Sequence, residues 1–455
     1  MNVVKFGGSS VANAEQISKI IGVVTSDTDR RIVVVSAPGK RFAGDIKVTD
    51  LLIALADTVL GGNDFEAALK AVVDRYTEIQ RNLDLPAGVI EIITADLRGR
   101  IETRGPSKLQ FMDAMKAAGE DCNARVIAEA FTKAGNPAKY MNPGAAGMLL
   151  SAEFGNAEVL EESFKNLSSL KDSKEIVIFP GFFGVTKGGD IATFPRGGSD
   201  ITGAILAAAV NADVYENFTD VDSVCSMDPR VIDNPPAITC MTYREMRELS
   251  YAGFGVFHDE AIIPAVRAEI PICIKNTNNP SAPGTMVVPK REPEHGSVVG
   301  ISSASGFCSI YIDKYMMNRE VGFGRRLLQI LEEEGISFEH TPSGIDNMSV
   351  LLASANISDK KETHVLNRIK TELKPDNISV EHGLALLMVV GEGMHYTPGM
   401  AAKATQAFRE ANINLEMINQ GASEISMMFA VKESDRENAI QALGTAFFPK
   451  KTSSN

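Results

Sequence analysis

Two stretches in the last third of the chain repeat one another at a fixed offset, and this repeat constrains the fold more than any single motif does. Gly322 and Gly399 stand 77 positions apart, and the same offset pairs Ile336 with Ile413, Glu339 with Glu416, Gly344 with Gly421 and Ser349 with Ser426. Each copy reads as strand, glycine-initiated helix, strand, turn, strand, helix. The first occupies 308–312, 322–334, 336–341, 349–353 and 359–373, and the second 384–390, 399–410, 413–419, 425–431 and 434–447. A βαββαβ unit needs a closing strand. Residues 378–381 supply one for the first copy, whereas only a polar tail follows the last helix of the second. An open sheet edge is a liability. The strand-like run 297–302 is the spare piece, so the first copy is expected to be inserted within the second.

The first 290 residues follow a different rule. Short β-branched runs at 3–6, 31–36, 175–180, 213–218 and 270–275 alternate with amphipathic stretches at 14–25, 50–60, 65–83, 120–134 and 200–209. That alternation predicts an α/β layer with a largely parallel sheet. Residues 276–296, with Pro280, Pro283, Pro289 and Pro293, read as a long connector.

Composition narrows the class. The 455 residues, 44% hydrophobic and 23% charged, are those of a globular protein of two to four domains. With 45 Lys and Arg against 58 Asp and Glu the net charge is −13, and no basic run could track a phosphate backbone, which argues against a nucleic-acid partner. Five scattered cysteines without a CxxC pair fit reduced thiols in a cytoplasmic protein better than disulfides or a zinc site. No leader of secretory type opens the chain and no apolar run is long enough to span a bilayer, so no membrane role is expected.

Neither a GxxxxGK[ST] loop nor a GxGxxG turn with its acidic partner is present. Three other clusters are candidates. In Lys5-Phe6-Gly7-Gly8-Ser9-Ser10 a strand delivers a lysine, then two glycines and two hydroxyls ahead of a helix. Such a turn closes backbone N–H groups on an anion, although a glycine pair alone is usually only a turn. In Arg196-Gly197-Gly198-Ser199-Asp200 an arginine fork for a carboxylate precedes glycine donors and an acid that can organise a lysine or a metal ion. Ser199 or Asp200 as a mere helix cap is the plain alternative. Thr219-Asp220-Val221-Asp222, followed by Asp228-Pro229-Arg230, sits at the C-terminal end of a strand, where open α/β sheets bind ligands; a solvated acidic turn is the alternative.

Taken in order, these three clusters and the Ser36-Ala37-Pro38-Gly39-Lys40 turn resemble the aspartate kinases of the amino acid kinase superfamily, and the repeat resembles their paired ACT domains. The resemblance covers essentially the whole chain. It implies a three-layer αβα, carbamate kinase-like catalytic domain at 1–290 and a connector at 291–306 whose strand 297–302 completes the second ACT domain. Two ferredoxin-like βαββαβ ACT domains would follow at 307–383 and 384–455. It further implies a phosphotransferase with a carboxyl acceptor, moving the γ-phosphoryl group of ATP, with Mg²⁺, to the β-carboxylate of L-aspartate. A carboxylate needs no general base, and the obstacle is charge repulsion, so a site rich in cations and backbone donors is expected.

Carried over by motif, Lys5 and Asp200 are the catalytic positions, and Lys5, Gly7, Gly8 and Ser9 hold phosphates. Thr219, Asp220, Cys225 and Arg230 would surround the base and ribose, and Ser36, Thr49, Glu120, Arg196, Gly198 and Ser199 the aspartate. Asp200 is the one candidate metal contact. Glu120 is read as an acid for the substrate ammonium, against the alternative of a charge at a helix N-terminus. The pattern departs from the family at Ser223, at Cys225, where many relatives carry tyrosine, and at Gly255 to Asp259, where a lysine is missing.

The ACT pair implies an amino-acid effector, lysine and/or threonine, at Met317, Gly322, Phe323, Ser337 and Glu339, and a homodimer through the ACT domains. A kinase of the same superfamily acting on another carboxylate, and an amino-acid sensor with a vestigial kinase domain, are the competing readings. A fused homoserine dehydrogenase is not expected in a chain ending at Asn455.

Overall fold

The computed structural model describes residues 1–251, 253 and 259–449. The unusual stretch from Gly255 to His258 lies outside them. The chain divides into two compact units that are not continuous in sequence: Met1–Val224, Ala237–Met246 and Val256–Arg291 form the first, and Cys225–Pro236, Arg247–Gly255 and Glu292–Asn455 the second.

The first unit is built on an eight-stranded sheet. Its order is Cys240–Thr242, Thr285–Val288, Ile272–Asn276, Tyr215–Thr219, Asn2–Phe6, Arg30–Val35, Ile176–Pro180 and Ala138–Tyr140. All neighbours run parallel except the antiparallel pair Ile272–Asn276 and Thr285–Val288. The central strands are buried on both faces, which is why they read as unbroken apolar runs instead of alternating ones. Val4, Phe6, Val33 and Val35 share one core with side chains from the helices Ala14–Thr25, Val48–Leu60, Glu66–Asn82, Gly88–Glu102 and Lys108–Lys133. On the helix Gly198–Val210, Gly203 permits close approach to the sheet, since a side chain there would strike the Tyr215 ring. A small sheet of Leu149–Leu150, Phe183–Thr186 and Ile191–Thr193 adds a hairpin turning at Gly189.

In this unit three sequence-based expectations change. The helix expected at 120–134 is Lys108–Lys133, capped by Ser107, so Glu120 sits mid-helix and not at an N-terminus. Asp113, Glu120, Asp121 and Asn123 are all buried on this helix, and these inward polar residues erase the apolar periodicity. The helix Gly88–Glu102 was not expected, although Val89, Ile93, Leu97 and Ile101 form its buried stripe. Within the supposed connector 276–296, Thr285–Val288 is a strand bracketed by Pro283 and Pro289.

In the second unit two 14-residue strands, Gly300–Asp313 and Asn377–Val390, pair antiparallel along their length, from Gly300 opposite Val390 to Asp313 opposite Asn377. The register slips between Ser305 and Ser309. Asn347–Ala353 adds to the far half of the first strand, and Ser426–Lys432 then Met417–Gln420 to the far half of the second. Each half has its own core, one around Leu327, Ile330, Val350 and Val365, the other around Phe408, Phe429, Ile440 and Leu443. The strand expected at 336–341 is reduced to one isolated bridge, His340 with Leu351, and a second bridge, Ser343 with Met348, lies just beyond it. Residues 225–236 belong here through Met227, packed in the second core, and the Ser226 carbonyl, which accepts from the Ile301 N–H.

Candidate active site

Lys5 and Asn217 face each other in register on adjacent parallel strands, so their side chains leave the same face of the sheet near its C-terminal edge. Asp200, in the first turn of the helix Gly198–Val210, meets both. Its Oδ1 lies 2.6 Å from Lys5 Nζ and accepts from Asn217 Nδ2 at 2.6 Å. The second carboxylate oxygen is bonded by none of the described residues. Lys5, Gly7, Ser9, Asp200, Asn217 and Thr219 border a cavity of about 80 Å³, room for one phosphoryl group. Phe6 and Phe218 stack beneath with ring centroids 4.9 Å apart.

The start of the helix that carries Asp200 is set for reasons legible in the chain. Gly197 adopts φ 84°, a left-handed conformation costly for a side chain, and opens the helix at Gly198. Phe182, at φ 77°, has its N–H bonded to Thr202 Oγ1 at 3.0 Å, and Thr202 returns a bond to the Gly198 carbonyl, so the 180–182 turn and the helix start are locked together. Ser199 is buried against Gly181. Arg196 is exposed and makes no ion pair or hydrogen bond with any described residue.

A second group gathers at the Ser36 to Lys40 turn. Gly39 donates its N–H to the Gly8 carbonyl at 2.8 Å, and a side chain at Gly39 would collide with Gly8. The two glycine turns therefore touch backbone to backbone. The Ser36 carbonyl accepts from Asn123 Nδ2 at 2.7 Å, and Thr49 is the second residue of the helix Val48–Leu60. Gly119 lies mid-helix because a side chain there would come within 2.8 Å of Ala37. That contact brings Glu120 to the turn. Its carboxyl is buried, bonded by the Ala37 backbone, and left with one oxygen unpartnered. Burial raises its pKa to about 8.

Thr219 Oγ1 bonds Asp220 at 3.0 Å, Asp220 is exposed, and Asp222 is held by Asn276 and Asn279. Cys225 and Arg230 lie in residues of the second unit, where the Arg230 guanidinium pairs with Asp228 at 2.7 Å. Also in that unit, Gly322 at φ 80° opens the helix Phe323–Glu333, while Met317 and Phe323 are buried in its core. Ser337 accepts from Asn356 at 3.0 Å, and the Glu339 carboxylate accepts from the Tyr251 hydroxyl. Glu339, Tyr251, His340 and Asn419 border a cavity of about 490 Å³.

Residues 1–276 match the amino acid kinase family and residues 387–447 match the ACT domain. Over 448 residues, 98% of this chain and 99% of the other, the sequence is 55% identical to aspartokinase 3 of Bacillus subtilis. This chain is a member of the aspartokinases. Among solved structures, aspartate kinase of Clostridium acetobutylicum superposes with a TM-score of 0.87 at 37% identity, covering 98% of this chain and 99% of that one. Aspartokinase III of E. coli superposes with a TM-score of 0.76 in complex with aspartate and ADP, at 27% identity, covering 98% of this chain and 100% of that one. Its complex with lysine and aspartate gives 0.73 at 25% identity, covering 98% and 99%. The fold is that of an amino acid kinase domain with C-terminal ACT structure, and the chain is an ATP-using kinase of the aspartokinase type. Among the described residues no helix is long and apolar enough to cross a membrane.

Sequence reading missed Asn217, Asn123 and Gly119 as parts of the site. Only Asn217 carried a signal: it is a polar residue inside a strand, directly ahead of the Thr219 to Asp222 cluster.

Proposed function

We propose that the two groups just described are the nucleotide and aspartate sides of one phosphoryl-transfer site. Lys5 neutralises charge on the transferring group, with Gly7, Gly8 and Ser9 presenting donors to the phosphates and Thr219 and Asp220 at the base and ribose. Asp200 holds Lys5 in place through Oδ1. Its free second oxygen suits Mg²⁺, which commonly takes one or two carboxylates and completes its shell with phosphate oxygens and water. No cluster of three His, Cys, Asp or Glu able to hold a metal occurs among the described residues, so the ion would arrive with the nucleotide and offset phosphate charge there. Cys225 and Arg230 keep only their sequence-based assignment.

On the aspartate side Glu120 receives the substrate ammonium, Arg196 clamps a carboxylate, and Ser36, Thr49, Gly198 and Ser199 complete the contacts. The buried, partly unpartnered Glu120 carboxyl supports this reading, because an ammonium is the partner such a group lacks. The juxtaposition of Lys5, Asp200 and Asn217 around a phosphoryl-sized cavity carries the proposal as a whole. Its test is Mg²⁺-ATP-dependent acyl phosphate formation trapped as the hydroxamate. Turnover selective for L-aspartate supports it, and turnover with another acid or none overturns it.

For regulation, an amino-acid effector, lysine and/or threonine, would place its carboxylate at the backbone around Gly322 and its ammonium at Glu339. Met317 and Phe323 would contribute backbone, since their side chains are buried in the core. The division into ACT domains at 307–383 and 384–455, with 297–302 completing the second, is supported by the separate cores of the two sheet halves. A homodimer through this unit is supported by exposed Tyr315, Val321 and Ile345, on loops that bond each other through Asn318 N–H and the Ile345 carbonyl. A cytoplasmic location fits the five free cysteines.

A further inference from the structure

We propose that Arg75 is the positioning residue of the aspartate side, the strut that fixes the turn carrying Ser36 and Thr49 against the turn carrying Gly8 and Ser9. The inference rests on the substrate-side reading given above. Arg75 lies on the helix Glu66–Asn82, is 5% exposed, and spends its guanidinium entirely on the two turns. Nη1 donates to Asp45 Oδ2 at 2.8 Å and to the Ile46 carbonyl at 3.0 Å. Nη2 donates to the Gly39 carbonyl at 3.0 Å and to the Ala12 carbonyl at 3.4 Å. Gly39 and Ile46 flank the loop that leads into Thr49, and Ala12 ends the glycine turn that follows Lys5. One planar fork thus spans both sides of the site, a job that suits guanidinium and not a flexible ammonium.

The partners of Arg75 are committed to the same task. Asp45 also accepts from Arg41 Nε and Nη2, both at 2.8 Å, and these bonds hold its carboxyl well below the usual carboxylate range. Arg41 in turn pairs with Glu78, one turn beyond Arg75 on the same helix. The next residue, Tyr76, is fully buried and donates its hydroxyl to the Gly119 carbonyl at 2.7 Å, beside Glu120. Two adjacent residues of one helix therefore hold the loop before Thr49 and the helical turn that carries Glu120. The loop's own apolar side chains cannot fasten it, since Phe42 is 64% and Ile46 53% exposed.

The test uses the full-length protein and steady-state kinetics with each substrate varied at saturating levels of the other. For Arg75→Gln the expected result is a KM for aspartate raised about tenfold or more, since small misplacement of a positioning group is costly. The KM for ATP should stay within about twofold. Arg75→Lys, which keeps the charge but cannot reach all four acceptors, should fall between wild type and Arg75→Gln. Asp45→Asn leaves Arg75 in the chain and should raise the aspartate KM less, and it decides the question if Arg75→Gln does not fold. An unchanged aspartate KM in these variants, or equal rises for both substrates, overturns the proposal. Thr49→Val separates the premises: a raised aspartate KM there with none in the Arg75 and Asp45 variants sinks the strut alone, and no change in Thr49→Val sinks the substrate-side reading and the strut with it.

Discussion

The proposed nucleotide side and the proposed aspartate side of this site are built on different principles. Lys5 and Asn217 are set by the register of two parallel strands, with Asp200 added by a helix locked at its first turn. Ser36, Thr49 and Glu120 instead depend on a loop and a mid-helix glycine contact, held together by side chains from elsewhere in the chain. A sheet fixes its residues without help, whereas a loop needs a strut. Perturbations should therefore act locally on the first side and spread on the second.

The largest effect is expected at the sheet. Lys5→Met should lower kcat about 10²–10³-fold, as loss of one charge-stabilising donor does elsewhere, with little change in melting temperature. A melting temperature that fell with activity would contradict the claim that the strand ends hold this side without Lys5.

Glu120 comes next. Glu120→Gln should raise the aspartate KM by about 10- to 100-fold, the cost of losing one charged partner in a buried site. Because the wild-type carboxyl has its pKa raised to about 8, the free enzyme carries it protonated below that pH. The wild-type aspartate KM should then fall by up to about tenfold per pH unit as pH rises toward 8, and level off above it. Stability runs the other way. A carboxyl whose folded pKa is raised binds its proton more tightly when folded, so its contribution is intact below the ordinary carboxylate pKa and is lost as pH rises through 8. Thermal melts should show Glu120→Gln gaining on wild type at pH 9 and matching it at pH 5. A difference independent of pH would mean that Glu120 is ionised throughout.

Gly119→Ala should cost about 1–3 kcal/mol through the clash with Ala37 and raise the aspartate KM while sparing that for ATP. Equal effects on both substrates would erase the distinction between the two sides. The smallest effect lies in the second unit. Tyr251 occupies the Glu339 carboxylate, so Tyr251→Phe frees it and should lower the half-inhibitory effector concentration about 3- to 10-fold, the net worth of one ordinary hydrogen bond. An unchanged inhibition curve would show that Glu339 does not read the effector.

The same contrast explains what could be read from the amino acids alone. Lys5 with Gly7 to Ser9, and Gly198 with Asp200, are contiguous, and each opens a helix, so residue order carried their meaning. Most strands of the parallel sheet were legible as apolar runs for the same local reason. Arg75 and Asn123 act across distance: each sits on an ordinary helix, and only packing shows which carbonyls they meet. Glu120 was visible as a residue but not as a mid-helix one, because the polar groups buried beside it disguised where its helix begins. In the second unit the repeat fixed two related halves, yet the 336–341 edge proved too short to be a ladder strand.

The most direct test of the contrast is amide hydrogen exchange with and without aspartate, in the absence of nucleotide. If a loop held by a strut forms the aspartate side, aspartate should slow exchange across residues 37–50 and leave the strand amides of 2–6 and 215–219 unchanged. Exchange in 37–50 that ignores aspartate, or protection confined to the strands, would contradict the account.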